Sequence, residues 1–175
     1  MDLDEALRTG PAVAAAPELG LFARFAGEWR VHNRLRASPG DEWIETERTW
    51  VFAPILGGRA MQDVLLGTDA DGATYALGTT VRAFDPAIEA WRVHWMGAAH
   101  GNFVSVIARP HGTDGIHQDG VEHLGEREIP VRWNFSEITD RSFAWHGWSS
   151  ADGGRTWWLE QHMEARRHRR AEAAV

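Results

Sequence analysis

The stretch that decides the fold is residues 143–166, FAWHGWSSADGGRTWWLEQHMEAR. Two tryptophan-rich runs flank Asp152-Gly153-Gly154, residues that tolerate the positive φ angles of a tight turn. The pattern predicts a β-hairpin. A turn centred on Gly153 sets His146 opposite Glu160, Ala144 opposite His162 and Trp148 opposite Trp158.

Working outward, the same grammar repeats from Gly27 onward: short alternating runs broken by Gly, Pro, Asp and Asn. Strands are predicted over 28–36, 42–52, 59–66, 74–84, 90–96, 102–109, 115–124, 126–136, 141–149 and 156–166. No later segment sustains a helical period. A sheet this wide closes on itself to remove its edges, so the expected fold is all-β, an antiparallel up-and-down β-barrel of about ten strands. Before it, Leu19, Phe22, Phe25 and Ala26 share one helical face that ends at Gly27, which predicts a short N-terminal helix packed on an end of the barrel. The expected organisation is a flexible or helical extension over 1–18, the barrel over 19–167 and a tail over 168–175.

Alternation sorts the strand faces. Trp91, Val93 and Trp95 alternate with Arg92, His94 and Met96, and Val131, Trp133 and Phe135 alternate with Arg132, Asn134 and Ser136. In the second strand Arg48 shares a face with Ile44, Thr46, Trp50 and Phe52, which sets a basic residue on an inward-looking row.

Composition removes whole classes of chemistry. The 175 residues contain no cysteine, so there is no disulfide, thiol nucleophile or thiolate metal site. All 18 basic Lys+Arg residues are arginine, which excludes a lysine Schiff base. With a net charge of −7 and arginines scattered except in the tail at Arg166, Arg167, Arg169 and Arg170, which reads as a solvated end, no nucleic-acid footprint is expected. The apolar runs fall short of the roughly 18 residues of a membrane span, and the N-terminus is acidic where a secretory signal is basic. The expected setting is the cytoplasm, away from membranes, with the chain alone or as a homodimer.

Four local patterns together resemble a family of uncharacterised bacterial domains in the calycin superfamily, related to lipocalins, fatty-acid-binding proteins and nitrobindins. They are Phe22-x-x-Phe25-x-Gly27-Glu28-Trp29, Gly57-Gly58, Arg82-x-Phe84-Asp85-Pro86 and Ser150-x-Asp152-Gly153-Gly154-x-Thr156-Trp157. The resemblance implies a β-barrel that binds a small molecule. It also implies a structural seal in which Gly27 and Trp29 meet an arginine of the last strand, Arg166 or Arg167, in a cation–π contact. Nitrobindins bind haem through a late-strand histidine, and His162 occupies a similar position. Trp29, however, is followed by Arg30 where nitrobindins carry further glycines. The expectation is no cofactor, with haem or metal binding through His162 as the alternative.

Ten tryptophans offer rigid walls for a flat or apolar ligand. The expected binding residues are Arg48, Trp50, Trp95, Trp133, Trp145 and Trp157, with Arg48 taking a ligand carboxylate or pairing with Asp63 or a glutamate across the barrel. No metal signature is present among nine histidines. If His146, Glu160 and His162 share an inward face, they are candidate catalytic residues for a cofactor-independent cyclase, isomerase or hydratase. The leading reading is binding of a small hydrophobic or aromatic molecule in a Trp-lined barrel cavity.

Overall fold

The computed structural model describes residues 1–10, 17–97 and 100–168. Most of the expected C-terminal tail and the linker after the first helix fall outside the described residues. Helix α1 (Leu3–Arg8) is capped by Asp2, whose carboxylate accepts from the Glu5 N–H at 2.8 Å. Helix α2 (Gly20–Ala23) follows. Ten strands then run in order: β1 (Gly27–Leu35), β2 (Ile44–Ile55), β3 (Ala60–Thr68), β4 (Thr74–Asp85), β5 (Ala90–Gly97), β6 (Asn102–His111), β7 (Gly115–Leu124), β8 (Arg127–Ser136), β9 (Ser142–Ser149) and β10 (Trp158–Arg167). Each pairs antiparallel with its neighbours in sequence, and β1 pairs with β10 to close the barrel. Among the described residues no helix is long and apolar enough to cross a membrane.

The meander follows from period-two patterning: Trp29, Val31 and Asn33, then Trp50 and Phe52, then Trp91 and Val93 are buried while the residues between them are more exposed. A closed ladder leaves no strand edge with unpaired N–H and C=O groups.

One end of the barrel is plugged. Phe22 and Phe25, both fully buried, enter from α2 and its exit. Phe25 meets Phe135 and Phe143 at centroid distances of 4.9 and 5.0 Å. Beneath this plug the fully buried Trp29 donates from Nε1 to the Phe25 carbonyl at 2.7 Å, and the Arg167 guanidinium lies 4.2 Å from its ring. Arg167 also donates to the carbonyls of Ala26, Arg24 and Asp140. One planar cation thus ties β10 to the chain entering β1 and to the β8–β9 connection. Gly27 makes this possible: its φ is +121°, and a Cβ there would stand 2.9 Å from an Arg167 Nη. The seal falls to Arg167 and not to Arg166, because Arg166 pairs with Arg30 across the strands and faces outward.

Above the plug lies a buried ion pair between Arg82 and Asp63, 2% and 1% exposed. Asp63 also accepts from Trp50 Nε1 at 2.7 Å and Thr80 Oγ1 at 3.1 Å. The guanidinium lies 5.1 and 5.4 Å from the Phe22 and Phe52 rings. Burial lowers the Arg82 pKa to about 9, which still leaves it charged at neutral pH. A buried charge of this kind holds only while its partners remain.

Candidate functional site at the open end of the barrel

Four indoles climb from the packed core toward the end opposite the plug. Trp50 and Trp145 stand 6.5 Å apart, Trp145 and Trp133 5.4 Å, and Trp133 and Trp95 6.3 Å, each pair edge to face. Trp50 and Trp145 are 4% exposed, whereas Trp133 and Trp95 are only partly buried. The ladder therefore runs from core to solvent on the inner rows. Small residues leave room for it. A Cβ on Gly78 would stand 2.4 Å from the Trp95 ring, and one on Gly147 would stand 2.8 Å from the Trp145 ring.

Around the upper indoles the inner surface turns polar. Trp95 Nε1 donates to Asn102 Oδ1 at 3.4 Å, and Asn102 Nδ2 donates to Glu122 Oε1 at 3.2 Å. Gln161 donates to Asn33 at 2.6 Å, and Asn33 to Thr46 at 2.9 Å. Glu160 joins them through a β-bulge: Leu159 pairs with Trp148 but Gln161 pairs with Gly147, so Glu160 is the extra residue on β10. The bulge brings Glu160 and Gln161 to the inner side together. Removal from water, then the nearby Glu122 carboxylate, pushes the Glu160 pKa up to about 7.

The bulge also corrects the expected hairpin register. His146 pairs with His162, and Ala144 with Glu164, while Trp158 pairs with Ser149. The two imidazoles stack with centroids 4.7 Å apart on the outer face, and burial, before any other cause, lowers both pKa values. His146 and His162 thus lie on the opposite side of the wall from Glu160, and the anticipated His146/Glu160/His162 cluster is not assembled. Among the described residues no group of three His, Cys, Asp or Glu side chains is placed to hold a metal.

The connection between β9 and β10 explains the shift. It is a loop wound on Asp152 instead of a two-residue turn. The Asp152 carboxylate accepts from the Thr156 hydroxyl and N–H, the Ser150 hydroxyl and the Arg155 N–H, which lowers its pKa to about 2. Strand β10 accordingly starts at Trp158, two residues later than expected. Trp157 is left in this loop, donating to the Gly154 carbonyl at 3.1 Å with Arg132 4.0 Å from its ring. Arg132 is an outward residue of β8, so Trp157 packs on the outer wall.

Arg48 is on the inner row of β2, partly exposed, and donates to the Glu47 carbonyl at 3.3 Å. Asp63 does not neutralise it, since that carboxylate is committed to Arg82. Among the described residues, grooves open on the outer wall. One of about 470 Å³ is lined by Arg30, His32, Glu47, Glu164 and Arg166 with Arg167 and His168. Another, of about 350 Å³, includes His111, His117, Asn134, His146 and Trp148.

Fold and site together define a closed ten-stranded antiparallel barrel, sealed by aromatic rings at one end and polar at the other. The crystal structure of Rv2717c from M. tuberculosis matches the chain with a TM-score of 0.59 and 14% identity, covering 89% of this chain and 100% of that one. That likeness shows a shared fold. The structure of EF1p2_mFAP2b bound to DFHBI matches at a TM-score of 0.41 and 15% identity, over 83% of this chain and 95% of that one. No protein-family model and no curated protein sequence matches the chain.

Proposed function

We propose that the open end of the barrel binds a small aromatic or hydrophobic molecule against Trp95 and Trp133, with Trp145 as the floor. The observation that carries this reading is the indole ladder, whose lower members are sealed into the core while its upper two remain partly exposed on inner rows. Rigid rings bury much area at little rotamer cost, which suits them to a flat ligand. Trp50 supports the site only from below, because its N–H donates to Asp63 and its ring packs against Phe52 and Phe135 in the core. The reading agrees with the calycin resemblance carried by the motifs quoted above and with a cytoplasmic small-molecule-binding protein. Native mass spectrometry and tryptophan quenching against a metabolite panel test it. Saturable uptake lost in Trp133→Ala is the expected result; absence of binding across aromatic and aliphatic panels contradicts it.

A second reading has one observation in its favour: Glu160, with a pKa of about 7, is poised to exchange a proton with a bound substrate. Here Glu160 takes the role alone, without a histidine. Turnover of an isomerisable panel substrate that disappears in Glu160→Gln, with binding retained, is its signature.

A further inference from the structure

The chemistry of the open end narrows the ligand further, on the footing that the proposed site is the binding site. Its own donors are largely spent: the Trp95 N–H goes to Asn102, and the Asn102 amide goes to Glu122. Its acceptors are not. Glu160 has no hydrogen-bond or ion-pair partner for its carboxylate among the described residues, and Glu122 has only the Asn102 amide. Two carboxylates alone do not define a site, but a separate group makes the same demand. Gln118, 1% exposed on the inner row of β7 below Glu122, donates its amide to the Trp133 carbonyl and leaves Oε1 buried without a partner. Buried acceptors without donors are rare in folded proteins and costly.

Nearby cations do not fill this role. Arg36 on the β1 side donates to the Leu159 carbonyl and lies over Trp43 and Trp158. Arg34, opposite His162 on the outer row of β1, lies over Trp43 with its Nε 3.5 Å from Glu45 and without a hydrogen bond, and Arg48 donates to the Glu47 carbonyl. On β9 the nearest titratable group, His146, is outside the wall against His162. Among the described residues the charged neighbour that perturbs Glu160 is Glu122, a like charge.

We propose that the ligand is an aromatic molecule carrying a protonated amine, its ring against Trp95 and Trp133 and its N–H groups taken by the Glu122 and Glu160 carboxylates. Ring faces beside a cation add a cation–π contribution to the same preference.

Three probes sharing one ring separate the outcomes: 2-naphthylmethylammonium, 2-naphthalenemethanol and 2-naphthoate, titrated calorimetrically into the full chain at pH 6 and pH 8. The ammonium is expected to bind at least about tenfold tighter than the carboxylate, the scale of one charge-assisted hydrogen bond. Its affinity rises from pH 6 to pH 8, because it takes the ionised Glu160, while that of the alcohol stays level. In Glu160→Gln, an isosteric change that keeps the fold, the pH dependence vanishes and the ammonium advantage shrinks. Equal affinity for all three probes, or tighter binding of the carboxylate, overturns this inference and leaves the aromatic site standing. Failure of all three to bind overturns both.

Discussion

Replacing Glu160 by glutamine probes the open end without any ligand. A carboxyl whose pKa is 4.5 in the unfolded chain and about 7 in the fold holds its proton more tightly when folded. Below pH 4.5 both states are protonated and the group is neutral toward stability. Between pH 4.5 and 7 the unfolded state ionises first, so stability falls as pH rises, and above pH 7 the full penalty is present. At about 1.4 kcal/mol per unit the shift corresponds to about 3 kcal/mol, and contact of the carboxyl with water at the open end reduces this to roughly 2–3 kcal/mol. Glutamine never ionises and escapes the penalty. Urea unfolding of both proteins at pH 4.5 and pH 8 isolates the effect, since titrating groups remote from Glu160 cancel in the difference and the coupling to Glu122 is part of the penalty removed. Glu160→Gln should gain roughly 2–3 kcal/mol on the wild type between the two pH values. A difference that is the same at both pH values would refute the placement of Glu160 inside the wall.

Other perturbations test the parts that hold the site. Asp63→Ala strands the Arg82 charge and the Trp50 N–H in the core; a loss of about 3–5 kcal/mol in urea unfolding is expected. Arg167→Ala removes the cation over Trp29 and three carbonyl contacts and should cost about 2–3 kcal/mol. Arg166→Ala, one residue away and exposed, should stay within about 0.5 kcal/mol. Gly78→Ala sets a methyl against the Trp95 ring; near-UV circular dichroism should change and ligand quenching should weaken, and an unaltered spectrum would count against the indole packing.

Much of the barrel was legible in the sequence because turn residues punctuate the strands and because one apolar row per strand fixes its facing. The strand from Ala90 to Gly97 shows this, with Trp91, Val93 and Trp95 on the inner row. The seal at Trp29 was legible only as a resemblance, and strand register decided between Arg166 and Arg167. The open end was harder to see. Glu160 changed sides because a β-bulge inserts a residue that period-two counting cannot detect, and the Asp152 loop removed Trp157 from the strand expected to hold it. Glu122 and Gln118 went unremarked because β7 carries polar residues on both rows. Only the buried Ile116 sets its phase and shows that Gln118 and Glu122 share the inner row.

The central claim is that a small aromatic ligand sits against Trp95 and Trp133. Assigned indole N–H resonances of ¹⁵N-tryptophan-labelled protein, followed while 2-naphthylmethylammonium is added at pH 8, test it most directly. Saturable shifts at Trp95 and Trp133, with Trp157 on the outer wall unmoved, are the predicted result. Shifts confined to Trp148 and Trp157, or none at any indole, would contradict it.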